Sequence, residues 1–208
     1  QDHGATWSAP IVVGSIATVG TRDPQTRTRI RDGSTLGSIA AGRNGQLAIA
    51  WQDARFGGPS HDGIAFSMSL DGGLTWSAPR GINAAPAAAA FMPAVTIRDD
   101  GAIGVTYYDL RNNTPDAATI WADFWLTQST DGINWRERHV AGPFDLSLAP
   151  IADGLFVGDY HGLAHRGAGF MPLYATTDAA TPQNRTDLYL SIVPEPGREN
   201  NGVVTRRY

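Results

Sequence analysis

The 208-residue sequence contains no cysteine and no lysine, and no apolar run is long enough for a membrane helix. Without cysteine there is no disulfide framework, no thiolate metal site and no cysteine nucleophile. The 16 basic residues are all arginines scattered along the chain, and the formal net charge is −4. Because nucleic-acid-binding surfaces concentrate basic residues, the sequence predicts no nucleic-acid partner. The lack of a long apolar run predicts no membrane span.

Turn-forming residues are abundant. The chain has 24 glycines, 13 prolines and six tryptophans. Glycine and proline interrupt regular structure and favour turns, so this composition predicts many short strands joined by tight connections. Glutamate is scarce, with only Glu137, Glu195 and Glu199 present. Few acidic groups are therefore available as catalytic partners besides the aspartates.

One short motif occurs three times. Residues 69–76 read Ser-Leu-Asp-Gly-Gly-Leu-Thr-Trp, residues 129–135 repeat the motif one residue shorter, and residues 2–7 carry a partial copy without the serine. The motif's aspartates, at positions 2, 71 and 131, are separated by about 60 to 70 residues. This spacing is typical of one four-stranded blade of a β-propeller.

The rest of the unit repeats as well. Residues 47–55 parallel 103–111, and each run follows a glycine turn of the kind that joins hairpin strands. A later segment also recurs, at 62–67, 123–127 and 187–191. Apolar and polar residues alternate in these segments, which indicates strands rather than helices.

The repeats predict an all-β fold of propeller blades, each with four antiparallel strands. We expect one incomplete propeller region over 1–208, comprising a strand remnant at 2–13, a long polar loop at 14–35 and blades at about 36–85, 91–143 and 156–208. Three blades are fewer than the 4–8 that close a propeller. The chain is therefore expected to be the C-terminal portion of a longer polypeptide with six or seven blades. A dimer of half-propellers is the alternative.

The pattern Ser-x-Asp-x-Gly-x-Thr-Trp at 69–76 resembles the Asp box, or bacterial neuraminidase repeat, of sialidases and related propellers. The resemblance implies a glycoside hydrolase region that acts on carboxylated sugars of extracellular glycans, needs no cofactor and is secreted or periplasmic. It also implies a glycan as partner, together with the remaining blades of the parent chain or a second copy. A non-catalytic glycan-binding or scaffold propeller is the alternative, because fold alone does not specify a reaction.

The motif itself is expected to be structural. Asp71 is suited to accept hydrogen bonds from turn amides, and Gly72 and Gly73 tolerate positive φ. Trp76 is expected to bury its ring under the turn. In the family these boxes lie away from the active centre, so Asp2, Asp71 and Asp131 are not candidates for catalysis.

The candidate catalytic segment is Gly158-Asp159-Tyr160-His161-Gly162-Leu163, which resembles the sialidase strand that carries a tyrosine nucleophile. Sialidases use tyrosine where other glycosidases use paired carboxylates. The resemblance implies Tyr160 as nucleophile on an innermost strand and Asp159 beside it as a further catalytic candidate. His161, in place of the usual serine, is a candidate substrate-binding residue. The alternative is that Tyr160 only packs against a neighbouring blade.

Two arginines share the context Asp-x-Arg. The segment of Arg111 resembles the one that carries a substrate-clamping arginine in sialidases, and Arg55 is its counterpart in the preceding blade. Because the spacing repeats, an internal Asp–Arg ion pair is the alternative for both. His161 and His165 are about 13 Å apart if they lie on one strand, so no metal site is predicted. The repeated aspartates Asp62, Asp123 and Asp187 are also expected to be structural.

Overall fold

A computed structural model of the chain describes residues 5–159, 161–180, 185–195 and 203–207, and nearly all of its regular structure is β-strand. The described residues form these elements: β1 Ser38–Ala41, β2 Leu47–Gly58, β3 His61–Ser69, β4 Arg80–Gly81, β5 Ala90–Ile97, β6 Ile103–Asp109, β7 Trp121–Ser129, β8 Arg136–Asp145, a 3-10 turn Leu146–Leu148, β9 Gly162–Arg166, β10 Gly169–Thr177, β11 Thr186–Ile192 and β12 Val204–Arg207. Within this described part, no helix is long and apolar enough to cross a membrane.

The twelve strands form three separate four-stranded sheets, each built from four consecutive strands in the order β1–β4, β5–β8 and β9–β12. Every neighbouring pair is antiparallel. The first strands, β1, β5 and β9, form one edge of their sheets and contact one another in series. This is the arrangement of three propeller blades, and the all-β prediction is confirmed.

The middle sheet, β5–β8, is packed on both faces, and strand β6 shows how. Successive side chains of a strand point to opposite faces. Ile103, Val105 and Tyr107 belong to the apolar core shared with the first sheet. Tyr108 belongs to the core shared with the third sheet. One buried strand therefore contributes to both interfaces, which explains its continuous burial.

The segment 14–35 contains no named strand, but it is anchored to the sheets. Ile30 is buried in the core between the second and third sheets and forms a parallel bridge with Leu155. The buried carboxylate of Asp62 accepts hydrogen bonds from the backbone N–H groups of Val19 and Gly20 at 2.9 and 3.1 Å. The expected strand at 2–13 is not formed over the described residues 5–13.

The hairpins at 69–76 and 129–135 have the predicted hydrogen bonding. Asp71 accepts bonds from the Thr75 amide at 2.9 Å and from the Ser69 hydroxyl at 2.7 Å. Hydrogen bonds from Thr75 and Ser69 lower the pKa of Asp71 to about 2. Gly73 has φ 89°, a conformation that glycine adopts without strain. Trp76 is only half-buried, in contrast with the expectation, because its hairpin projects beyond the sheet.

The repeated aspartates on the third strands are buried and internally bonded. Asp123 accepts hydrogen bonds from Asn112 at 2.8 Å and from the His139 ring at 2.7 Å. Asp187 pairs with Arg207 at 2.7 Å. Together with the bonds of Asp62 to segment 14–35, these contacts fit the structural role expected from the sequence. Asp2, in the first copy of the motif, lies outside the described residues.

Candidate functional site

The two ends of the sheets differ in what they carry. Ser38 at the start of β1 pairs with Ala50, well along β2, whereas Leu47 at the start of β2 pairs with Ser69 at the end of β3. The segments that precede first strands, and the connections from second to third strands, therefore share one end, which we call the upper end. The hairpins at 69–76 and 129–135 lie at the opposite, lower end.

A cavity of about 180 Å³ lies at the upper end, where the first strands begin. We call it the inner cavity. Its lining comes from β1 and β5 and from the segments directly ahead of β1 and β9: Asp32, Gly33, Leu36, Gly37, Ser38, Met92, Pro93, Ala94, Asp159 and His161. Three blades thus contribute to one concave surface of mixed polar and apolar character, which is typical of a ligand site.

Asp32 and Asp159 are the carboxylates of the lining, and Arg31 pairs with Asp159 from beside the inner cavity. The Arg31 guanidinium donates from Nε to Oδ1 at 3.0 Å and from Nη2 to Oδ2 at 2.6 Å, so the pair is bidentate. The side chains remain 37% and 27% exposed. Arg31 also stacks on the Phe156 ring at 4.5 Å. Since each carboxylate oxygen has two lone pairs, Asp159 can still accept hydrogen bonds from a ligand.

His161 is the second predicted residue that lines the inner cavity. Its ring packs edge-on against Tyr108 and Phe124, with centroids 5.7 and 5.6 Å away. Both ring nitrogens are buried and have no hydrogen-bond partner among the described residues. Burial lowers the pKa of His161 to about 4, so the ring is neutral near pH 7. A buried donor and acceptor without partners are costly, and a ligand or water can relieve that cost.

A buried hydrogen-bond network holds the wall of the cavity in place. Asp32 accepts bonds from the Thr21 amide at 2.6 Å and from Gln52 at 3.0 Å. The Gln52 carbonyl oxygen in turn accepts from the Met92 amide at 3.0 Å. Met92 has φ 53°, and the register between β5 and β6 shifts beside it. Such bulges reorient neighbouring side chains and are frequent at functional sites.

Arg55 and Arg111, the other predicted arginines, do not line the inner cavity. Arg55 pairs with Asp53 through two bonds of 2.8 and 2.6 Å, and Arg111 pairs with Asp109 at 2.6 Å. The internal ion pair that the repeated spacing suggested is therefore present in both blades. Burial would raise the pKa of Asp53, but the interactions with Arg55 and the hydrogen bond from Trp51 together outweigh it, and the pKa is lowered.

Arg111 also belongs to a larger cluster between the first and second sheets. It pairs with Glu137 and lies over the Trp125 ring at 3.7 Å from the centroid. The Tyr107 hydroxyl donates a short hydrogen bond to Glu137. Burial raises the pKa of Glu137. No sequence pattern indicates this cluster, because Tyr107 and Glu137 are far apart in sequence and share no motif.

Tyr160 lies outside the described residues. Of the residues predicted from the sequence, the structure thus brings Asp159 and His161 into one cavity, and it places Arg55 and Arg111 elsewhere. Arg31 and Asp32 were missed, although Arg31-Asp32-Gly33 forms a polar turn signal directly ahead of the first blade. Among the described residues, no cluster of three or more potential metal ligands is found.

A comparison with protein-family models gives no match, and a comparison with curated protein sequences also gives none. Among solved structures, a thermostable family-43 glycoside hydrolase is similar with a TM-score of 0.48 and 11% identity, over 82% of this chain and 53% of that chain. A protein of unknown function from Dyadobacter fermentans DSM 18053 is similar with a TM-score of 0.46 and 19% identity, over 92% and 56%.

The chain spans about half the length of both solved structures. At these identities neither similarity specifies a reaction for this chain. The resemblance to sialidases rests on the motif residues alone.

Proposed function

We propose that the inner cavity binds carbohydrate, and that the chain is a sialidase-like glycoside hydrolase region acting on carboxylated sugars of extracellular glycans. The observation that carries the proposal is the partly exposed Asp159 carboxylate, which lines a cavity between three blades and is held from beside it by a bidentate contact with partly exposed Arg31. Sugar hydroxyls both donate and accept hydrogen bonds, and an ion pair of this kind offers both functions on one rigid unit.

The apolar part of the lining supports the same ligand class. Leu36, Met92 and Pro93 supply nonpolar surface beside the charged pair. A sugar ring presents hydroxyls at its edge and C–H groups on its face, so a mixed lining suits it better than a wholly charged one. His161 adds unpartnered ring nitrogens that a sugar hydroxyl could satisfy.

For hydrolysis, the proposal assigns Tyr160 as the nucleophile and Asp159 as its neighbouring carboxylate. A tyrosine with a pKa near 10 is a weak nucleophile at neutral pH and needs a group that takes its proton. Arg111 as a clamp requires a change in its present ion pairs, so it is the least supported of the assigned roles.

The alternative is a glycan-binding propeller without catalysis. It is favoured by the bidentate contact of Arg31, which keeps Asp159 engaged as an ion-paired acceptor rather than as a proton donor. Binding and hydrolysis are therefore tested separately.

Binding is measured by calorimetric titration of the 208-residue chain with the α-methyl glycoside of N-acetylneuraminic acid. We expect saturable binding that Asp159→Asn weakens about tenfold or more, because a hydrogen bond to a charged group contributes about 1.5–3 kcal/mol. Asp99→Asn is the matched control, since Asp99 pairs with Arg43 at the lower end. Absence of binding by the unmodified chain would overturn the proposal.

Hydrolysis is measured with a fluorogenic sialoside, on this chain and on any longer polypeptide that contains it. The enzyme proposal expects turnover that Tyr160→Phe abolishes while binding is retained. Binding without turnover in every form favours the non-catalytic alternative, and full turnover by Tyr160→Phe eliminates the nucleophile assignment.

A further inference from the structure

Two further depressions lie beside the inner cavity along the upper end. A middle cavity of about 270 Å³ shares Asp32 with the inner cavity. An outer groove of about 560 Å³ shares Arg22 with the middle cavity. The outer groove is the largest of the three and lies between the turn at 22–27, the β2–β3 connection and the segment 85–89. The shared residues show that the three spaces are neighbours in a row along the upper end.

The outer groove is basic, although the chain as a whole has a net charge of −4. Arg22, Arg27, His61 and Arg111 line it, and no aspartate or glutamate is among its described lining residues. Arg111 is already engaged by Asp109 and Glu137. Arg22 donates from Nη1 to the Arg27 carbonyl oxygen at 3.2 Å. Within the described part of the chain neither Arg22 nor Arg27 forms an ion pair with a carboxylate, so the positive charges of both are available to an anion.

The turn that presents these two arginines is fixed by its own hydrogen bonds. Asp23 is 1% exposed, and its carboxylate accepts from the amides of Gln25 and Thr26 at 3.1 and 3.0 Å. The Arg27 amide donates to the Asp23 carbonyl at 3.0 Å. Asn113, from the β6–β7 connection, donates to Gln25 at 2.9 Å. Because the backbone of this turn is already ordered, less conformational entropy is lost when a ligand binds.

The floor of the outer groove is apolar and consists mainly of alanine side chains. Ala85, Ala87, Ala88 and Ala89 line one side, and Leu110 adds a larger side chain. Small side chains leave room for a bulky ligand between the basic groups. The combination of cationic rim and apolar floor matches a sugar unit that carries an anionic substituent.

From these features we propose that the upper end binds an extended anionic oligosaccharide. One sugar unit occupies the inner cavity, and the carboxylate or sulfate groups of later units bind Arg22 and Arg27 in the outer groove. The part of this inference that concerns the inner cavity rests on the proposed carbohydrate function. The part that concerns the outer groove rests on Arg22 and Arg27, which form no ion pair within the described residues. The ligand is then recognised over several units rather than at a terminal sugar alone.

The test is a length series measured by calorimetry on the 208-residue chain: oligogalacturonides of one, three and six units, a neutral hexasaccharide and a heparin-derived sulfated hexasaccharide. We expect affinity to rise with length for the anionic series and not for the neutral sugar. The gain should shrink as ionic strength rises, because exposed charges are screened. A preference for the carboxylated or the sulfated hexamer identifies the anionic group.

The decisive variants are Arg22→Gln and Arg27→Gln. Each should weaken hexamer binding about twofold to fivefold, as expected for an exposed ion pair, and leave monosaccharide binding unchanged. Arg43→Gln is the matched control, because Arg43 is exposed at the lower end. Asp159→Asn should weaken both ligands.

Two outcomes overturn the inference: equal affinity for one and six units, or hexamer binding that Arg22→Gln and Arg27→Gln leave unchanged. A chain that binds the hexamer through Arg22 and Arg27 but binds neither the monosaccharide nor the N-acetylneuraminic acid glycoside supports the outer groove and contradicts the proposed function. The two proposals therefore fail in distinguishable ways.

Discussion

The imidazole of His161 is buried in a neutral state, and this makes stability depend on pH. In the unfolded chain a histidine has its ordinary pKa of 6.5, whereas burial lowers the pKa of His161 to about 4 in the folded protein. Between these values the unfolded state binds more protons, so stability falls as pH decreases through this window. The full shift corresponds to about 3 kcal/mol at most.

The prediction is tested by urea titrations of the unmodified chain and His161→Phe at several pH values between 7 and 4. The apolar ring fits beside Tyr108 and Phe124 and does not titrate. The unmodified chain should lose up to about 3 kcal/mol relative to the variant over this range. Burial raises the pKa of Glu137, which acts in the opposite direction but equally in both proteins. Parallel profiles would contradict the prediction.

A second prediction concerns the Tyr108 hydroxyl, which connects the second and third sheets. It donates to the Ala175 carbonyl at 2.9 Å and accepts from the Ala175 amide at 3.1 Å. Tyr108→Phe leaves both backbone groups buried and unpaired, so the free energy of unfolding should fall by about 1–3 kcal/mol. Denaturant titration measures the change. Tyr189→Phe, on a half-buried ring, is the control and should change stability by less than about 0.5 kcal/mol.

At the scale of elements, the contact of β6 with β10 depends on a glycine. A Cβ added at Gly104 would lie 2.5 Å from the Phe170 ring. Gly104→Ala must displace this buried ring and should destabilise the fold by about 1–3 kcal/mol. Gly162→Ala is the control, because its Cβ would meet Leu173 at 3.6 Å, an ordinary contact.

Thermal and denaturant unfolding of Gly104→Ala, Phe170→Leu and the double variant measure the coupling. Because the smaller side chain makes room for the new methyl group, the double variant should be more stable than the sum of the single changes predicts. Strict additivity would indicate that the methyl group is accommodated elsewhere.

The elements themselves were predictable because their signals are local. Alternation and glycine turns in 47–55 and 103–111 are properties of neighbouring residues, and both runs became second strands of their sheets. The Asp-x-Arg spacing likewise contained its own ion pair. The inner cavity was only partly predictable, since Arg31 meets Asp159 across more than 120 residues of sequence.

Segment 14–35 is a second case in which contacts between residues far apart in sequence could not be predicted. Its lack of period predicted a loop, and no pattern indicated that Asp32 and Ile30 would be buried by other sheets. Burial of a loop depends on groups that the fold brings to it, here the Gln52 side chain and the chain near Leu155. Such contacts cannot be inferred from residue spacing.

At the scale of the whole molecule, the three sheets should differ in local stability. The middle sheet is covered on both faces, whereas β12 is exposed at all four residues and pairs only with β11. The outward face of the third sheet also exposes Leu188 and Ile192. A propeller with more than these three blades, as expected from the repeat, stays a prediction.

Hydrogen exchange measured by NMR should therefore give the slowest exchange for the amides of β6 and the fastest strand exchange for β12. Amides in well-packed elements open only with global unfolding, and those in exposed elements open locally. Equal protection of β6 and β12 would contradict this, since it would require burial of β12 that its exposure does not indicate.

The separation of the two ends has a consequence for how such a chain can diversify. At the lower end, the hairpins at 69–76 and 129–135 are stabilised by hydrogen bonds within each hairpin. At the upper end, the connection 110–120 between β6 and β7 is exposed over residues 114–118. Binding preferences can then change through insertions and substitutions above, while the framework below stays intact. A library randomised at 114–118 should retain folded members far more often than one randomised at 71–75.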